Sequence, residues 1–170
     1  MTAYVALLRA VNVGGLQLEM DDLKRIASEL GLRSPRTFIA SGNLLFLSDR
    51  KEAALKRDLE RALEAHTGKT VGVMVRTAAE LAEAAVANPF ADEPGSRVVA
   101  IFLDESPPAD AASSATNLAD ERLALGAREI YVHYPQGQGR SKLGIKAAAR
   151  GTARNMNTVA RLAELAREMA

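Results

Sequence analysis

Arg36-Thr37-Phe38-Ile39-Ala40-Ser41-Gly42-Asn43-Leu44-Leu45-Phe46-Leu47 places two β-rich runs, Arg36 to Ala40 and Asn43 to Leu47, on either side of a short polar reversal. β-branched and aromatic residues suit a pleated, half-buried surface, and Ser41-Gly42, with or without Asn43, supplies turn chemistry, so the stretch predicts a hairpin. Immediately upstream, Leu23, Ile26, Ala27 and Leu30 recur at helical spacing. Glu19, Asp21 and Asp22 stand at the positive end of that helix and Gly31 just past its last turn. Further upstream, the apolar run Tyr4 to Val11 has strand length and is stopped by Asn12-Val13-Gly14-Gly15. Downstream of the hairpin, Ser48-Asp49 offers a cap to a helix whose face is Leu55, Leu59, Leu63 and His66 and which ends at Gly68. Val71, Val73 and Val75 then alternate with Gly72, Met74 and Arg76 as a closing strand. The order is βαββαβ, the split-βαβ pattern of a ferredoxin-like α/β plait.

Thr77 and Glu80 frame a capping box for a short Ala-rich helix that Asn88-Pro89 ends, and residues 88–96, with Pro89, Pro94 and Gly95, form the candidate linker. The pattern then restarts. Arg97 to Leu103 reads as a strand, Pro108 to Thr116 as a helix, and Arg122 to Leu125 with Glu129 to Tyr134 as a hairpin about Gly126. Leu143 to Arg150 reads as a two-turn helix closed by Gly151. Asn155 or Asn157 caps a last helix with the apolar face Val159, Leu162, Leu165 and Met169. The expected class is α+β: two tandem ferredoxin-like halves with extra C-terminal helices, divided as 1–76, 77–96 and 97–170. That is an internal duplication of architecture.

Composition narrows the chemistry. The chain has 170 residues, 48% hydrophobic and 25% charged, with 22 Lys+Arg against 21 Asp+Glu. The absence of cysteine excludes disulfides, thiolate metal sites and thiol nucleophiles, and two histidines cannot build a transition-metal cluster. No metal and no cofactor are expected. No run approaches the roughly 20 apolar residues of a membrane span and no signal segment is recognised, so a cytoplasmic location without membrane association is expected. Charge is distributed unevenly. Thr77 to Glu121 holds nine acids and one base, whereas Arg140 to Arg161 holds six bases and no acid.

Three glycine-bearing polar corners carry candidate chemistry: Arg9, Asn12, Gly14 and Gly15; Ser41, Gly42 and Asn43; and Arg140, Ser141 and Lys142 with Arg154, Asn155 and Asn157. Glycine lets the backbone approach a ligand, arginine offers a fork of donors to phosphate or carboxylate, and helix starts aim N–H groups at an anion. Arg9, a charge inside an apolar run, must pair, snorkel or face a site. Gly14-Gly15 lacks the frames of dinucleotide loops and P-loops, and Ala40-Ser41-Gly42 lacks that of a nucleophile elbow. His66 reads as a packing residue and the acids of 77–121 as a solvated face.

The run from Tyr4 through Leu8, Arg9, Ala10, Val11, Asn12, Val13 and Gly14 to Gly15 resembles the Leu-Leu-Arg-Gly-Ile-Asn-Val-Gly-Gly opening of the bacterial family catalogued as domain of unknown function 1697. The resemblance continues through Arg36 to Asn43, Gly139 to Leu143 and Thr152 to Val159. It implies paired α/β plaits and no particular reaction or catalytic residue. Ala10 stands where the family string has Gly, and Met156 where it has Trp. Whether the chain is an enzyme is left open. The leading expectation is a pocket for an anionic, phosphate- or nucleotide-bearing small molecule. An RNA-binding module is the alternative, disfavoured by 4% aromatic content and a net charge of +1. A non-catalytic interaction module, in which the acidic stretch of one copy docks on the basic stretch of another to give a homo-oligomer, is the third, and sheet edges of such units commonly pair.

Overall fold

The computed structural model describes residues 1–11, 16–40 and 42–170, which fall into two compact units: Met1–Leu81 with Leu162–Ala170, and Ala82–Arg161. The first unit runs β1 (Thr2–Leu8), α1 (Met20–Glu29), β2 (Arg33–Thr37), β3 (Asn43–Ser48), α2 (Glu52–Thr67) and β4 (Val73–Thr77). Its antiparallel sheet has the order β2-β3-β1-β4, the ferredoxin-type plait expected from the periodicities. Tyr4, Ala6 and Leu8 of β1, with Leu44, Phe46, Val73 and Val75 on its neighbours, share a core with Leu23, Ile26 and Ala27 of α1 and Leu55, Leu59 and Leu63 of α2. The opposite face, with Val5, Leu7, Leu45 and Met74, is buried as well. A cap at Ser48-Asp49 is corrected. α2 begins after Lys51, and Ser48 Oγ accepts instead from the Arg50 N–H, at 3.0 Å.

α3 (Ala78–Val86) starts on the anticipated capping box: the Thr77 N–H donates to Glu80 Oε1 at 2.8 Å and the Glu80 N–H to Thr77 Oγ1 at 3.1 Å. The second unit builds β5 (Val98–Phe102), β6 (Arg122–Leu125), β7 (Glu129–His133) and β8 (Thr152–Asn155) into a sheet of order β6-β7-β5-β8, repeating the first topology strand for strand. α4 (Met156–Met169) follows, with the Asn155 carboxamide oxygen accepting the Thr158 N–H at 2.9 Å as its cap.

The repeat reaches individual positions. Val5 of β1 pairs with Leu45 and Arg76, and Ala100 of β5 pairs with Tyr131 and Arg154. Each closing strand therefore carries an arginine at the same register, followed at once by a residue that caps a helix, Thr77 in one half and Asn155 in the other. Both arginines are buried, at 1% and 8% exposure.

Two anticipated helices are absent from the second unit. Pro108 to Thr116 forms successive turns, in which Ser113 Oγ donates to the Asp110 carbonyl. Short hydroxyl and carboxylate side chains compete there with the helical ladder. Leu143 to Arg150 contains only a 3-10 turn, Lys146–Ala148, because Gly144 exchanges both backbone hydrogen bonds with Thr116, at 2.9 Å each. The C-terminal addition is thus one α-helix rather than several. Within residues 88–96, Phe90 and Glu93 pack on side chains of the second sheet. Phe90 is buried with its ring 6.0 Å from that of His133, the Arg122 guanidinium lies 4.9 Å over Phe90, and Glu93 pairs with Arg122 at 3.1 Å and with His133 at 3.5 Å.

Candidate functional site

In the first unit three chain segments meet where β1 ends. The Leu8 N–H donates to the Gly42 carbonyl at 2.9 Å and the Arg9 N–H to the Gly72 carbonyl at 2.8 Å. Arg9 lies one residue beyond β1 and is exposed, so the expectation of a charge embedded in a strand is corrected: the apolar run stops pairing at Leu8 and the guanidinium has access to solvent. Asn43 is fully buried, and its side-chain amide donates to the Phe38 carbonyl at 2.9 Å, closing the hairpin. Gly42, at φ +84°, packs so tightly that an added Cβ would meet Val11 Cγ2 at 2.4 Å and Leu8 Cβ at 2.9 Å. Its close approach is to its own chain. Asn12, Gly14, Gly15 and Ser41 lie outside the described residues.

Backbone strain collects at the same end of the sheet. Ala10 sits at φ +58° and Ile39, β-branched and exposed, at φ +51°, a region that L residues enter at a cost of roughly 1–2 kcal/mol. The departure from the family's glycine at position 10 is therefore a strained one. Ala10→Gly is expected to raise the unfolding free energy by about 0.5–1 kcal/mol, the relieved strain being partly offset by the freer unfolded chain. A denaturant midpoint that moves down instead would reverse that assignment.

In the second unit Arg140, Ser141 and Lys142 line a cleft of ≈ 520 Å³ together with Asn117, Asp120, Glu121, Tyr134 and Gln136. Thr116 pairing with Gly144 ties the acidic segment before β6 to the basic loop after β7. Glu121 is buried. It accepts Ser141 Oγ at one oxygen and the Ala119 N–H, at 2.8 Å, at the other, and these bonds hold its carboxyl below the usual carboxylate range. Ser141 Oγ also accepts the Leu143 N–H at 3.1 Å, so this side chain organises the loop. Burial, with Glu121 nearby, raises the Tyr134 hydroxyl above its ordinary pKa. Arg140 and Lys142 are exposed, and among the described residues neither forms an ion pair.

Arg154, Asn155 and Asn157 serve β8 and α4. The Arg154 guanidinium donates to Thr152 Oγ1 at 2.7 Å and to the Ala153 carbonyl at 2.9 Å, and burial pulls its pKa down to about 10. Asn155 is committed as a helix cap. Asn157, in the first turn of α4, abuts Gly95, where an added Cβ would lie 2.1 Å from its Oδ1. Of the anticipated site, then, Arg9 and Gly42 gather at one corner and Arg140 to Lys142 at one cleft. Asn43 and Asn155 do structural work in their local turns. The contribution of Asn117, Asp120, Glu121 and Tyr134 was not anticipated. Its only advance signal was the concentration of acids before β6, which sequence reasoning assigned to a solvated face.

Among the described residues no helix is long and apolar enough to cross a membrane. No curated protein matches the chain. A solved structure described as that of conserved bacterial protein SP0830 from Streptococcus pneumoniae is similar over 98% of this chain and 99% of that one. The TM-score is 0.81 and the sequence identity 24%, a likeness of fold. The family described as "Protein of unknown function (DUF1697)" matches residues 1–131, and the chain belongs to that family.

Proposed function

We propose that this protein binds an anionic small molecule, phosphate- or nucleotide-bearing, in the cleft between the segment before β6 and the loop after β7. One observation carries the reading: Arg140 and Lys142 line a cavity of ≈ 520 Å³ without a carboxylate partner among the described residues, while the cleft's Glu121 is already held by Ser141 and a backbone N–H. That volume falls within the range of small-molecule sites. Unpaired cations in a concave surface attract and retain anions, arginine by its planar donor fork and lysine as a point charge. An RNA reading that relies on an open sheet face finds no support, since β1, β5 and β7 are buried on both faces apart from the end residue Thr2.

Thermal unfolding with inorganic phosphate and a panel of nucleotides tests the proposal. A ligand at 100 times its Kd adds about 2.7 kcal/mol, which raises Tm by roughly 5–10 °C for a chain of this size. The Arg140→Ala, Lys142→Ala double variant is expected to keep its unliganded Tm and lose the shift. Arg9→Ala reports separately on the first-unit corner. A shift of the same size in the double variant would remove the cleft from consideration.

A further inference from the structure

The cleft that holds Arg140 and Lys142 is neutral in sum, because Asp120 and Glu121 line it too. Opposite charges on one cavity wall ordinarily neutralise each other by pairing. Here they do not: among the described residues no ion pair joins either cation to either carboxylate. The carboxylates are kept apart by other partners. Glu121 is bound by Ser141 Oγ and the Ala119 N–H, which also favour its ionised form, and Asp120 accepts Gln136 Nε2 at 3.5 Å. A simple anion would satisfy the cations but would sit beside two negative groups. A ligand carrying an anionic group and a protonated amine satisfies both halves of the wall.

We infer that the preferred ligand of this cleft is a zwitterion, a phosphate ester of a primary amine, whose phosphate meets Arg140 and Lys142 and whose ammonium meets Asp120 and the outer side of Glu121. The inference rests on the anion-binding reading above and narrows its ligand class. Each carboxylate retains lone pairs beyond its present bonds, so an ammonium's three donors find acceptors without displacing Ser141. Tyr134 beside Glu121 is buried and lines the same cleft, and burial strengthens a charge-assisted contact.

Three probes separate the possibilities by isothermal titration at low salt: inorganic phosphate, ethyl phosphate and O-phosphoethanolamine. The last is expected to bind about tenfold more tightly than ethyl phosphate, the gain of one charge-assisted contact. In Asp120→Asn that advantage should shrink to about threefold or less while ethyl phosphate binds as well as before or better. In Arg140→Ala all three should weaken together. Equal affinities for O-phosphoethanolamine and ethyl phosphate in the wild type overturn the zwitterion inference and leave anion binding standing. Absence of heat from all three, with an unchanged Tm, overturns both. If Asp120→Asn proves unstable, Asp120→Ser carries the same comparison.

Discussion

Gly42→Ala is expected to lower the unfolding free energy by roughly 2–5 kcal/mol, the sum of a left-handed backbone imposed on an L residue and a methyl group driven into a filled space. The residue sits at φ +84°, and its new Cβ would lie 2.4 Å from Val11 Cγ2 and 2.9 Å from Leu8 Cβ, the latter on a strand that cannot retreat without breaking its pairing with β3. The damage should spread. The Gly42 carbonyl accepts the Leu8 N–H, so shifting the turn weakens the end of β1, where Arg9 begins the next corner. Urea denaturation followed by circular dichroism gives the number. The midpoint should fall with an unchanged slope, while Gly139→Ala, whose Cβ would meet nothing within 4 Å, should stay within about 0.5 kcal/mol of wild type. Equal midpoints for the two variants would show that the β2–β3 reversal tolerates repacking.

Phe46→Ala is expected to cost about 3–5 kcal/mol, enough to leave little of a typical domain's stability. Phe46 is fully buried on β3, paired in register with Tyr4 and stacked on it with ring centroids 5.7 Å apart. Its loss empties space in the centre of a core shared by α1 and α2. Tyr4 cannot swing into that space freely, because its hydroxyl is tied to the Arg50 carbonyl at 2.8 Å. Phe46→Leu should recover most of the loss, since it restores volume and forfeits mainly the aromatic pair. The same denaturation experiment decides: a loss below about 1 kcal/mol in the alanine variant would mean that the plait collapses around the gap.

The first plait was legible because every signal in it is local. Leu55, Leu59 and Leu63 point to one face of a helix, and the polar reversal around Ser41-Gly42-Asn43 separates two runs rich in strand formers. Alternation found β4 and said nothing of its burial. Both phases of that alternation, Val73 and Val75 on one side and Met74 and Arg76 on the other, are buried. In the second plait the strands and the closing helix with its Asn155 cap were legible, and the two helices expected at 108–116 and 143–150 were not there. What keeps residues 143–150 from winding into a helix is a pair of hydrogen bonds from Gly144 to Thr116, 28 positions away in sequence. No window of neighbouring residues contains that information. The same bridge draws Asp120 and Glu121 toward Arg140 and Lys142, so the acidic half of the cleft was hidden for the same reason. Arg9 was chosen on a premise the strand boundary overturns, while the two arginines that are buried, Arg76 and Arg154, sit on the closing strands.

The first unit is discontinuous, since Leu162–Ala170 belongs with Met1–Leu81, whereas Ala82–Arg161 is a single uninterrupted stretch. A ribosome delivers residues 162–170 after both sheets have been synthesised. The half made first therefore waits, incomplete, for the last helical turns to clear the exit tunnel, and the half made second has its full complement of residues sooner. A released chain truncated after Arg161 should keep the later plait protected from protease while leaving the earlier one more open to cleavage.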